Sequence, residues 1–271
     1  MMDGTDLDAR LRARRDWYAS LAEPPLEPTD SKTKDVADTL RRDGVVIIPG
    51  FMARDRANAL ATRLFDTVNK VIDGSRARSI VHRFPEFGLY RFLSAEALDP
   101  ELASYFKDPF IEAVAKNYTC RNIVSWQRML EWRDAIPKLG SSDLYHLDEG
   151  FYFKFKAFLY LTDVSEETAP YAYLKGSHRA AAWRKPKELQ MLRWETDGED
   201  AVFGQRGNFF EEREIDYLTK KLDYEPIQCT GPAGTLILTD TCGIHKATTP
   251  ISGGRLMLGH YYELPRKQAA S

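Results

Sequence analysis

His146 and Asp148 stand two apart in the stretch "YHLDEGFYFKFKAFLYLTDV", residues 145–164. In an extended segment, side chains at i and i+2 leave the same face of the chain. An imidazole and a carboxylate placed so offer two adjacent corners of a metal site. Read alone, the pair also fits a polar strand end followed by a turn. A third corner has to come from elsewhere. His245, 97 residues beyond Asp148, is the best candidate because it too follows a strand-like run, "GTLILTD".

Two neutral imidazoles and one carboxylate cap one face of an octahedron, the arrangement of non-haem iron(II) oxygenases. Three positions then stay open, two for a chelating 2-oxo acid and one for oxygen. A structural zinc site would instead be closed by a fourth ligand, often a cysteine. Cys120, Cys229 and Cys242 are widely spaced and form no CxxC pair. Arg255, ten residues after His245, opens the next strand-like run. Its rigid fork of donors matches a carboxylate. On a strand pairing with that of His245, it could grip the distal carboxylate of a chelated 2-oxoglutarate; otherwise it is a strand-end charge.

These residues need a scaffold. Residues 1–22 read as a charged helix, and "EPPLEPTDSK", 23–32, as a proline-rich linker. Residues 33–43 suit a short helix, and "GVVIIPGF", 44–51, a buried strand. Leu60, Leu64, Val68 and Val71 recur at helical spacing until Gly74. Residues 76–121 read as mixed loop and helix, and 121–132 as a strand. Further strands are expected over 152–163, 170–174, 226–230, 234–240 and 255–263. The charged, aromatic stretch 177–225 looks like a lid-like insertion, part helix. Helices followed by an antiparallel strand series imply an α+β protein, mainly β, with a barrel or sandwich. The expected organisation is an N-terminal helical extension and linker over 1–32, then a single domain over 33–271.

Composition narrows the class. Of 271 residues, 43% are hydrophobic, enough for a sizeable core and too many for wholesale disorder. A formal net charge of -2 argues against a strongly basic nucleic-acid binder. No apolar run approaches the roughly 18 residues of a membrane span, and the acidic N-terminus is unlike a secretory signal. The unpaired cysteines suit a reducing cytoplasm.

The strings "YHLDEGFYFKFKAFLYLTDVSEETAPYAYLKGSHR" and "GTLILTDTCGIHKATTPISGGRL", in that order and preceded by "GVVIIPGF", resemble the phytanoyl-CoA dioxygenase family. The likeness spans roughly 35–265 and is weakest over 177–225. It implies an iron(II)/2-oxoglutarate-dependent oxygenase built on a distorted double-stranded β-helix, a cupin-like jelly roll buttressed by helices. It implies iron held by His146, Asp148 and His245, and 2-oxoglutarate held by Arg255, with oxygen as the oxidant. Weaker carry-overs are Gln127 as a pocket residue and Phe158 as a ring beside the cosubstrate, with Lys156 and Tyr160 on its strand face. "KGSHR" matches the family's Pro-Gly-Ser-His with Lys175 for proline, so His178 reads as turn structure. Ala247 stands where many members carry a hydroxyl residue, with Thr248 and Thr249 after it.

The implied reaction couples decarboxylation of 2-oxoglutarate to succinate and carbon dioxide with hydrogen abstraction from a substrate C–H bond. Halogenating relatives replace the carboxylate ligand by a small residue; with Asp148 present, hydroxylation, desaturation or ring formation is the expectation. The substrate is expected to be a small molecule, with no nucleic acid or membrane involved. The family name does not bring a CoA thioester, since no CoA-binding signature is present. Cationic and aromatic residues of 177–225 suit an anionic or polar substrate, whereas Glu131, on the face of Gln127 and Met129, suits a cationic one. Two other readings stay open. One is a non-catalytic cupin-like metal-binding or scaffold protein. The other is a zinc hydrolase with Glu149 as base, although Glu149 should point away from the His146/Asp148 face.

Overall fold

The computed structural model describes residues 30–72, 81–120, 123–136, 143–148, 154–178, 208–222 and 224–263. The helix and most of the linker expected over 1–32 lie outside the described residues, as do Gly74, the Val71 side chain, Glu149 and residues 179–207 of the expected insertion.

Helix α1 (Ser31–Asp43) starts two residues before its expected start because Asp30 caps it, accepting from the Thr33 N–H at 2.8 Å. It ends on Gly44 in the left-handed region, φ 78°, whose N–H donates to the Leu40 carbonyl. A Cβ there would lie 2.3 Å from the Tyr173 hydroxyl, so the turn needs glycine twice over. Helix α2 (Arg54–Ile72) buries Ala57, Leu60, Ala61, Leu64 and Val68 on one stripe, as the spacing requires. Helices α3 (Pro100–Tyr105) and α4 (Pro109–Thr119) each begin on proline behind an aspartate cap.

Seven strands form one antiparallel sheet in the order β1 (Val45–Ile48), β10 (Leu236–Asp240), β6 (Phe155–Tyr160), β12 (Arg255–Glu263), β4 (Val124–Arg133), β3 (Leu89–Leu93) and β2 (Val81–Phe84). Five form the second, in the order β8 (Phe209–Phe210), β5 (Tyr145–His146), β11 (His245–Ala247), β7 (Tyr171–Lys175) and β9 (Glu225–Cys229). Helix α5 (Glu212–Leu222) joins β8 to β9. The two sheets pack as the expected jelly roll.

Alternation along the strands sorts the side chains into two layers. Leu236 and Leu238 of β10, Ala157 and Leu159 of β6, and Leu256 and Leu258 of β12 join the helices in the larger core. Their neighbours Ile237, Phe158, Tyr160 and Met257 face inward, packing with Tyr171, Tyr173 and Cys229 of the smaller sheet. The central strands β10, β6 and β12 are thus buried on both faces over most of their length, which is why β10 and much of β6 read as near-continuous apolar runs.

Two expectations are corrected. Part of the stretch expected to be loop and helix forms β2 and β3, which extend the large sheet beyond β4. Their shortness, and a buried pattern interrupted by Arg91, hide the strand period. Arg255 also does not open a strand pairing with that of His245: β12 pairs with β4 and β6, whereas β11 pairs with β5 and β7. The chain between them is tied to residues 167–170 through Thr248, Ile251 and Ser252 N–H groups and crosses from one sheet to the other.

Candidate metal centre

The two histidines meet because their strands pair in register, His245 opposite His146. Directly opposed residues of an antiparallel pair put their side chains on the same side. The ring centroids lie 4.3 Å apart. Each imidazole is held the same way: Nδ1 of His146 bonds the Leu144 carbonyl at 2.7 Å, and Nδ1 of His245 bonds the Gly243 carbonyl at 2.9 Å. A backbone acceptor requires the proton on Nδ1, which leaves both Nε2 atoms as unprotonated ligands.

Asp148 follows β5, its backbone N–H donating to the Thr241 carbonyl at 3.0 Å. The two carboxylate oxygens have different surroundings. Oδ2 accepts from the Thr241 hydroxyl and from Lys156 Nζ, the latter at 2.6 Å. Oδ1 lies 3.9 Å from His245 Nε2 and turns toward the histidines. One ligand atom from each of His146, Asp148 and His245 falls within 4.8 Å of the others.

The electrostatics suit a cation. Burial, helped by the neighbouring imidazole of His146, pulls the His245 pKa down to about 3, and burial lowers that of His146 as well. Both rings are therefore neutral near pH 7, the form that ligates metals, and the His245–Asp148 contact is not an ion pair. Burial alone would raise the Asp148 pKa. Lys156, His245 and Thr241 together outweigh it and hold the carboxyl well below the usual range.

The triad opens into a cavity of about 430 Å³ between the sheets. Gln127, Lys156, Phe158, Arg255 and Ala247 are among the residues that line it. Phe158 is buried, its ring 5.3 Å from that of Tyr171. Tyr160 is a strut behind the wall: its hydroxyl donates to the Cys229 carbonyl at 2.8 Å and accepts from the Tyr171 N–H at 3.2 Å. Thr248 turns away, donating to the Pro170 carbonyl. His178 is turn structure, its Nε2 3.2 Å from the Arg41 carbonyl.

Arg255 is 2% exposed and already engaged. Its Nη1 donates to the Ala169 carbonyl and its Nη2 to Glu131 Oε1 at 2.7 Å. The other Glu131 oxygen accepts from Arg91 Nε at 2.8 Å. Burial would raise the Glu131 pKa, but the two guanidinium groups lower it, so the carboxylate stays charged. The expectation that Glu131 could receive a cationic substrate therefore gives way, because both its oxygens are taken. The sequence reading also missed Arg91, Lys154 and Thr241. The first sits opposite Glu131 in the unrecognised strand β3. The alternation in "LYRFL" was its only available signal.

The profile of one family, phytanoyl-CoA dioxygenase (PhyH), matches residues 40–256. The chain belongs to that family. Membership brings iron(II) and 2-oxoglutarate as the family's metal and cosubstrate, and the donor set suits them: two neutral nitrogens and one carboxylate oxygen on one side, open space on the other. No curated protein matches the chain. Among solved structures it is similar to EctD from S. alaskensis with bound Fe, at 16% identity and TM-score 0.63, covering 89% of this chain and 83% of that one. It is also similar to the epimerase SnoN in complex with Fe3+, alpha ketoglutarate and nogalamycin RO, at 16% identity and TM-score 0.58, covering 86% and 84%. HygX from Streptomyces hygroscopicus with nickel and 2-oxoglutarate bound matches at 16% identity and TM-score 0.54, covering 88% of each chain. At these identities the likeness establishes a shared fold. Among the described residues, no helix is long and apolar enough to cross a membrane.

Proposed function

We propose that this family member is an iron(II)/2-oxoglutarate-dependent dioxygenase that hydroxylates an unactivated C–H bond of a small molecule, releasing succinate and carbon dioxide. One observation carries the reading: two Nε2 atoms and one carboxylate oxygen converge at the wall of an open cavity, each oriented by a hydrogen bond behind it. His146, Asp148 and His245 hold the metal. Bound iron supplies oxygen activation and the power to remove hydrogen from carbon, and 2-oxoglutarate supplies two of the electrons.

The chain's own residues orient and exclude. Thr241 and Lys156 fix the Asp148 carboxylate with Oδ1 toward the metal. Arg255, held by Glu131 and Ala169, presents a positive charge deep in the cavity for the distal carboxylate of 2-oxoglutarate. Phe158 packs beside that path, and the amide of Gln127 is a polar contact for the substrate. Asp148 occupies the position a halide would need, which favours oxygen transfer over halogenation.

The first test is an anaerobic titration of the iron(II)-loaded protein with 2-oxoglutarate, following the visible charge-transfer band of the chelate. The band should form in wild type, vanish in Asp148→Ala and require more cosubstrate in Arg255→Ala. Metal bound without any band would favour the non-catalytic scaffold instead. With a substrate in hand, a product heavier by one oxygen identifies hydroxylation; an unchanged mass identifies epimerisation.

A further inference from the structure

Glu131 leaves the cavity's electrostatics one-sided. Among the described residues, four cations line it, Arg91, Lys154, Lys156 and Arg255, against two carboxylates, Glu131 and Asp148. A divalent metal and a doubly charged 2-oxoglutarate cancel one another, so loading the site does not remove the excess. In a partly desolvated cavity an unbalanced charge costs much more than in water and is a ready counter-ion site.

The four cations are not equivalent. Lys156 is taken by Asp148 at 2.6 Å. The two Nη nitrogens of Arg255 are taken by Ala169 and Glu131. Arg91, in contrast, is anchored to Glu131 through Nε alone, at 2.8 Å. Its two Nη nitrogens make no hydrogen bond among the described residues, although the side chain is only 30% exposed. That is a guanidinium aimed from behind and left with an open fork, the geometry that takes a carboxylate or phosphate. Lys154 lines the same cavity, half-buried, and its ammonium likewise has no hydrogen bond or ion pair among the described residues. Trp126, 53% exposed, stands 6.3 Å from the Tyr261 ring in the same wall, a flat surface for the apolar part of a ligand.

We propose that Arg91 and Lys154 form an anion-binding station separate from Arg255, and that the substrate carries a carboxylate or phosphate group which they hold. The inference rests on the function proposed above and adds the charge class of the substrate to it. The cosubstrate's own distal carboxylate is the other source of such an anion, and the test separates the two.

The full-length protein is loaded with cobalt(II) in place of iron and saturated with 2-oxoglutarate. Cosubstrate binding is followed by the cobalt absorption spectrum. Phenylphosphonate is the probe, read by cobalt-enhanced 31P relaxation, with phenylacetate and its neutral counterpart phenylacetamide as competitors. Phenylphosphonate should bind and phenylacetate should displace it, at least about tenfold better than the amide does, as expected for a charge-assisted contact. Lys154→Gln, which lies outside the Glu131 hydrogen bonds, should weaken the probe about tenfold while 2-oxoglutarate affinity moves less than about twofold. Arg91→Gln should weaken the probe about tenfold, with a smaller loss of 2-oxoglutarate affinity passed on through Glu131 and Arg255. Arg91→Lys should recover part of the loss. Absence of probe binding, equal displacement by acid and amide, or binding that survives both glutamine variants would overturn the proposal. So would an Arg91→Gln that weakens 2-oxoglutarate instead, which would assign the fork to the cosubstrate. Failure of wild type to bind 2-oxoglutarate at all is seen separately and would fall on the function itself.

Discussion

The five-stranded sheet carries its two imidazoles on strands of two and three residues, whereas the seven-stranded sheet carries Glu131 and Arg255 on strands of ten and nine. The supports differ accordingly. Each imidazole is oriented by a carbonyl two residues earlier in its own chain, Leu144 for His146 and Gly243 for His245. The charges of the large sheet are oriented by one another across strands: Arg91 on β3, Glu131 on β4, Arg255 on β12. The ligand wall thus depends on local backbone geometry and the register of one strand pair. The charged wall depends on three strands being right at once. Losing a ligand should remove chemistry and leave the fold; losing a charge from the other wall should strain the fold itself.

The largest effect expected is on turnover. His146→Ala should abolish metal-dependent succinate formation while urea unfolding of the metal-free protein shifts little, since the ring's hydrogen bond among the described residues is to a neighbouring backbone carbonyl, Leu144, and its ring neighbours are His245 and Phe209. A large loss of stability would blur the distinction between the walls. Next is Glu131→Gln, which leaves two guanidinium groups beside a neutral amide in a buried site. It should cost about 3–5 kcal/mol in urea unfolding; a shift under about 1 kcal/mol would mean water reaches the pair and the surface regime applies.

His260 tests the large sheet by pH. Burial, with Arg128 adding to it, pulls its pKa down from the ordinary 6.5 to about 3. Between those values the unfolded chain holds a proton that the folded one does not, so stability is whole above about 6.5 and falls as the pH drops toward 3. The slope from this residue is about 1.4 kcal/mol per pH unit at most. His260→Gln, which can keep a hydrogen bond to Ser125, should flatten that limb of the stability curve. An unchanged limb would assign acid sensitivity to the other wall, where His245 is depressed to a similar degree. The smallest expected change is Thr241→Val. Losing the hydroxyl that orients Asp148 should lower cobalt(II) affinity about tenfold with the fold intact.

The same contrast explains how much could be read from the chain. His146 and Asp148 share a face because they are two apart, and His245 follows a strand; both facts sit in short windows of sequence. The apolar period of α2 and the alternation around 155–160 and 236–240 are local too, and those elements stand where expected. Arg91 was hidden because its strand is short and its partner lies 40 residues away. Glu131 was visible on the right strand face, but its two guanidinium partners were not. The pairing expected for Arg255 failed because the seven residues between Ala247 and Arg255 carry the chain to the other sheet, and nothing in their composition says which.

Residue type and spacing along the chain determined the ligand set, the strand-rich second half and the family, because a metal's first demand is on donor chemistry and a strand's is on period. Tertiary structure alone decided that His146 faces His245 in register, that Oδ1 of Asp148 turns toward His245, and that among the described residues the Arg91 fork is open while that of Arg255 is not. Each of those is a choice among partners distant in sequence, settled by which strands lie side by side and by the high cost of leaving a buried charge unpaired.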